Sequence, residues 1–301
     1  MERTRIPAGE RFKPTPFRAI ITQGNLHLTE FVMNAVIGGL AALLYLLAGG
    51  WLTLRLARAG GGNVGPKRGP LALGWSAAIL HATILAQTVF QPVGLNLGFF
   101  NALSFTGWLI AAVLLAVSWV RPVENLGIVV LPFSALMLVF GLLFPAERIV
   151  ADPGQWPLEL HILIAMLAYS LLALAAVQAV LLAIQDQRLR RRQPGGFLHG
   201  IPPVTAMETL LFQMIGAGFI LLSITLFSGF LFLENLFAQH LIHKTVLSMI
   251  AWGVFAVLLW GRWRFGWRGR TAIRWTLSGF GFLALAFFGS KLVLELILRR
   301  Y

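Results

Sequence analysis

The sequence predicts an all-α protein: a polytopic bundle of about eight transmembrane helices with both termini on the outer side. Three observations carry that reading. Of 301 residues, 58% are hydrophobic and 12% charged, and the mean hydropathy is +0.79. That leaves too little polar surface to cover a soluble globule of this size. Apolar runs of roughly 20 residues recur along the chain, the length that crosses about 30 Å of hydrocarbon at 1.5 Å per residue and a mark of helices, not barrel strands. Finally, the basic residues gather between alternate runs, where the positive-inside rule expects them.

Residues 1–32 are polar and mixed in charge, with Arg3, Arg5, Arg11, Lys13 and Arg18 set against Glu2, Glu10 and Glu30. They read as a disordered or surface-lying tail, and 33–301 as a single transmembrane domain. Met33 opens the first apolar run and is an alternative start of translation. A cleaved signal peptide is not expected, because the run continues to Leu54 with no A-x-A-like site behind a long leader. Apolar spans then follow at about 33–54, 71–90, 101–119, 124–143, 158–184, 207–233, 242–261 and 275–298. An even number returns both termini to one side. The connectors after the odd spans hold Arg55, Arg58, Lys67, Arg68, Arg121, Arg188 and Arg190 to Arg192, then Arg262, Arg264, Arg268, Arg270 and Arg274. That is the majority of the 24 basic residues, so these connectors are expected to be cytoplasmic. The connectors QPVGLNLGFFN, FPAERIVADPGQWPLEL and ENLFAQHL are then external, and none is large enough to fold alone.

A net charge of +13 would point to nucleic acid in a soluble protein, but here it is explained by topology, and no nucleic-acid partner is expected. The absence of cysteine excludes thiol redox chemistry, thiolate ligation and disulfides. No Gly-rich phosphate loop, serine elbow or paired-carboxylate arrangement appears. Any metal or cofactor must be held by His or by oxygen.

Six histidines are therefore the residues to weigh, since ionisable groups inside a membrane are costly and commonly functional. His27 and His199 fall in the tail and in a basic loop. His81 lies midway along the second span on a small-residue face with Gly74, Ala77, Ala78 and Thr88. Such a face permits close helix approach with the imidazole bonding across it, or room for a flat ligand. His161 heads the fifth span above a stripe of Ala165, Ala168, Leu172, Ala175, Ala179 and Ala183. The stripe fits tight helix packing with an interfacial histidine, or a haem or quinone slot with His161 as axial ligand. His240, His243 and Lys244 cluster with Glu234 and Asn235 as a hydrated interfacial group; no carboxylate completes a metal site there. Thr205 and Glu208 fit a capping box at the start of the sixth span. Lys291 and Glu295, four apart, pair near the outer surface.

Three strings carry a resemblance: IPPVTAMETLLFQMIGAGFILL, HKTVLSMIAWGVFAVLLWGR, and GWRGR followed by FFGSKLVLE. From about His81 onward the chain resembles the membrane-integral cytochrome c assembly family of CcsA, CcmC and HemX-like proteins, and especially its small YpjD-like inner-membrane branch. Glu208, Gly218, Phe219, Lys244, Ser248, Trp252 and Gly266 to Arg270 fall in the family's places. The family's Trp-rich loop between the sixth and seventh spans is absent, and Trp260 stands where CcsA-type proteins have an intramembrane histidine. Of the ligand set, His161 carries over by motif, and His81 by its match to the YpjD-like branch.

The resemblance implies a multi-pass bacterial inner-membrane protein that binds or handles haem in cytochrome c assembly or haem homeostasis. His161 and His81 are its cofactor-binding residues, and no metal is expected beyond haem iron at those two. The implied partners are the bilayer, haem and other cytochrome maturation components. One alternative is a non-haem accessory or regulatory subunit that keeps the scaffold without the Trp-rich loop. Another is a small-solute or metal transporter, with His81, Lys291 and Glu295 lining a path.

Overall fold

The computed structural model of the chain describes residues 16–58, 66–92, 94–145, 149–151, 155–191, 202–232 and 242–289. Its helices are α1 (Pro16–Arg58), α2 (Arg68–Thr88), α3 (Phe99–Val120), α4 (Gly127–Leu143), α5 (Trp156–Arg190), α6 (Val204–Phe232), α7 (Ile242–Phe265) and α8 (Gly269–Ala284). All eight are long and apolar enough to cross a membrane, α1 from Val32 and α8 with its continuation to Gly289. The protein is a multi-pass membrane bundle, as the apolar runs predict.

Two sub-bundles share α3. In the first, α1 packs on α2 and α4 through Tyr45, Leu52, Leu71, Ala77, Leu115 and Leu131. In the second, α5 is central and touches α6, α8 and α3. Lipid is as apolar as these side chains, so close van der Waals fit, not water exclusion, holds such helices together. The α5–α6 seam shows how that fit is reached. Ala168, Leu172, Ala175 and Ala179 of the alanine stripe are buried, and a Cβ on Gly218 would stand 2.7 Å from Leu172 Cγ. The stripe is therefore a helix-packing seam over most of its length.

At the end bearing most of the basic connectors, Arg55 meets Glu124 at 3.5 Å, with Lys67 at 3.9 Å. Lys67 Nζ also donates to the Ser118 carbonyl at 2.6 Å. These contacts tie α1 and the start of α2 to the α3–α4 turn.

The opposite end holds an element the sequence did not announce. Phe90–Gln91, Gly94–Asn96 and Ile149–Ala151 form a three-stranded antiparallel sheet, pairing Gln91 with Gly94, Leu95 with Ala151 and Asn96 with Ile149. Strands of two and three residues are too short to show a period-two pattern. They form because two connectors meet: Gly94 turns the chain at φ 128°, and Leu95 seats among Leu85, Val89, Phe105 and Met166.

Boundaries also moved: α1 is already helical from Pro16, within the stretch expected as a polar tail. α8 starts at Gly269, six residues before the expected span, because the GWRGR turn itself launches the helix.

Candidate functional site

His161 sits in the second turn of α5, close behind the Trp156-Pro157 start. A proline early in a helix loses no intrahelical donor and presets the backbone, which fixes where the histidine emerges. Its Nδ1 lies 2.8 Å from Ser228 Oγ in the last turns of α6. The Ser228 hydroxyl donates to the Thr225 carbonyl at 3.0 Å. With its single proton placed there, Ser228 Oγ accepts from His161, and this arrangement puts the imidazole hydrogen on Nδ1. Nε2 is then the nitrogen with the free lone pair, and no described residue hydrogen-bonds to it. This is the arrangement of a metal-ligating imidazole, whose second nitrogen is held by a protein acceptor that fixes tautomer and ring orientation. The ring is half-buried at the bundle end, with the packed alanine seam beneath it.

His81 stands differently. It is 0% exposed on α2, its Nε2 is 3.0 Å from Ser104 Oγ on α3, and Tyr45 of α1 stands edge-on with ring centroids 6.0 Å apart. Its small-residue face is filled, since a Cβ at Gly74 would meet Leu115 at 2.7 Å and the Trp108 indole donates to the Ala78 carbonyl at 2.8 Å. His81 Nδ1 and the Tyr45 hydroxyl are both buried without a hydrogen-bond partner. The structure thus places His161 half-buried on α5 beside Ser228 of α6, and His81 in the interior of the first sub-bundle.

Glu208 is structural, yet it does not close a capping box on its own helix. It is 7% exposed, and its Oε1 accepts the Gly269 amide at 2.8 Å, across 61 residues. The carboxylate caps the start of α8, where exposed N–H groups and the helix dipole favour an anion. The turn it holds is specified by GWRGR: Gly266 and Gly269 take φ of 66° and 54°, backbone that side chains other than glycine rarely adopt. Arg262 donates to the Trp267 carbonyl at 3.1 Å, and its guanidinium lies 4.6 Å from the Phe212 ring centroid. This long-range latch leaves no local signal in sequence.

Trp260 is 58% exposed and stands edge-on to Trp263, so the position where CcsA-type proteins carry a histidine here faces away from the bundle. Among the described residues, no three His, Asp or Glu come together as a metal site. Glu234, Asn235, His240, His199, Lys291 and Glu295 lie outside the described residues, as do the side chains of His27 and His243.

The sequence of residues 71–298 matches the family described as cytochrome C assembly protein. The chain is 34% identical over 230 residues to the inner membrane protein YpjD of Escherichia coli K12, covering 73% of this chain and 84% of that one. It is 34% identical over 148 residues to an uncharacterized 28.8 kDa protein of Azospirillum brasilense, covering 48% and 54% of the two chains. It is 23% identical over 228 residues to protein HemX of Brevibacillus brevis, covering 73% and 82%. No solved structure matches.

Proposed function

The chain belongs to the cytochrome c assembly protein family, and we propose that it is an inner-membrane protein that binds or handles haem at the His161 end, in cytochrome c assembly or haem homeostasis. The observation that carries this is the His161–Ser228–Thr225 relay, in which Nδ1 donates and Nε2 keeps its lone pair with no hydrogen-bond partner among the described residues. Bound haem would supply an iron that accepts a neutral imidazole, which His161 would provide. Ser228 orients the ring and keeps the hydrogen on Nδ1; the buried seam below stops a planar ligand from sliding down α5. His81 in the same role requires α2 and α3 to part, since Ser104 holds its Nε2 and no face of its ring is exposed. The positive-inside rule puts the His161 end outward, with the GWRGR turn cytoplasmic, where a haem-handling protein meets exported apocytochrome.

The test is the visible spectrum of the full chain in mild detergent, as purified and after titration with hemin. A Soret band is expected that disappears in His161→Ala. In Ser228→Ala the hemin affinity should fall by about 10- to 100-fold, the range for losing the hydrogen-bond partner of a ligating histidine. A protein that stays colourless with added hemin overturns the proposal. It would leave the non-haem accessory role, which the short ENLFAQHL loop and the outward Trp260 favour.

A further inference from the structure

At the end of the bundle opposite His161, a cleft of about 280 Å3 lies between α5 and α8, lined by Ala183, Asp186, Gln187, Arg270, Ile273 and Arg274. Each helix contributes positions i, i+3 and i+4, so the cleft is the groove between one face of each. Ile273 is buried in the core and Ala183 packs against it, whereas both arginines are exposed. The floor is thus apolar and the rim cationic. The lining holds one carboxylate, and it is already shared: Asp186 receives Arg190 at 3.0 Å and Arg270 at 3.5 Å. Arg274 makes no ion pair or hydrogen bond with any described residue. One turn separates it from Arg270 on the same helix face, which brings two guanidinium groups within reach of one phosphate.

Depth decides what kind of phosphate. The apolar crossing of α8 starts at Gly269, so Arg270 and Arg274 occupy its first two turns. Trp267 and Trp275 flank them along the chain, their rings tilted by 35° with centroids 5.6 Å apart, and tryptophan marks headgroup level. A soluble anion would leave the apolar floor uncovered, but the acyl chain of a lipid would lie along it. We infer that this cleft binds an anionic phospholipid, its phosphate between Arg270 and Arg274 and a chain in the α5–α8 groove. Basic pockets between membrane helices suit such headgroups, each nearby cation adding attraction. The site is independent of the haem proposal, because it shares no residue with the His161 end.

The test uses the full chain in detergent and native mass spectrometry, titrating phosphatidylglycerol or phosphatidylcholine, with inorganic phosphate as competitor. Phosphatidylglycerol should be retained over phosphatidylcholine. Its affinity should drop about five-fold in Arg274→Gln, the effect of one surface cation, persist in Arg274→Lys, and rise in Asp186→Asn, which frees Arg270. Arg264→Gln removes the same charge from the same end outside the cleft and should change nothing. Equal retention of the two lipids overturns the inference, as does an Arg264→Gln loss matching that of Arg274→Gln. Displacement of the lipid by inorganic phosphate would instead assign the arginines to a soluble anion.

Discussion

Replacing Glu208 tests whether the family's acidic residue acts on α8 and not on its own helix. Its carboxylate is buried and accepts a single backbone hydrogen bond, Gly269 N–H at 2.8 Å. A hydrogen bond to a charged group contributes about 1.5–3 kcal/mol, and Glu208→Ala also strands a half-buried donor. Glu208→Gln keeps an acceptor oxygen in place and loses only the charge, including its interaction with the helix N-terminus, about 0.3–1 kcal/mol. At roughly 2–4 °C per kcal/mol for a chain of this order of size, Glu208→Ala should lower the melting temperature by about 3–12 °C. Glu208→Gln should lower it by about 1–4 °C. The assay is thermal unfolding in detergent followed by tryptophan fluorescence, to which Trp267 on the latched turn contributes. Thr205→Ala is the discriminating control. The Thr205 carbonyl accepts from Thr209, but its hydroxyl caps nothing, so its loss should be near neutral. A drop in Thr205→Ala matching that of Glu208→Ala, or none in Glu208→Ala, would refute the latch.

Two further outcomes follow from packing. Gly218→Ala places a Cβ 2.7 Å from Leu172 Cγ, in a side chain with 0% exposure and nowhere to move. Overpacking of this kind costs about 1–3 kcal/mol, and the same thermal assay should show a loss while Gly216→Ala, with open space around it, shows much less. Tyr45→Phe removes a buried hydroxyl that has no partner, so the melting temperature should hold or rise, by up to about 1–3 kcal/mol of relieved desolvation. A fall would mean that the hydroxyl is engaged.

What the sequence made legible was whatever depends on runs and composition. Eight apolar stretches became eight helices, because a helix satisfies its own backbone within hydrocarbon and needs no partner to exist. The basic connectors gathered at one end for a similarly local reason. What escaped was everything fixed by contact between distant segments. The sheet joins residues near 90 to residues near 150, and neither connector alone carries a strand pattern. Thr205 and Glu208 form the local string of a capping box, yet the carboxylate turns to Gly269, where a positive φ and a helix start leave a stronger need for an anion.

The histidines show the same division within the candidate site. Spacing placed His81 and His161 on small-residue faces alike, since helical periodicity reports only which residues share a side. It does not say what fills that side. In the structure Leu115 fills the face of His81, while α6 covers the seam below His161 and meets the ring at Ser228. The deciding residue is Ser228, 67 positions away, and its only advance signal was a hydroxyl near the end of the sixth span. With its proton directed at the Thr225 carbonyl it would keep the hydrogen of His161 on Nδ1, and two residues of identical chemistry part into one fully enclosed and one half-buried imidazole. Exchanging that serine for alanine leaves the apolar pattern of α6 intact, so a change in hemin affinity without a change in fold would belong to the relay alone.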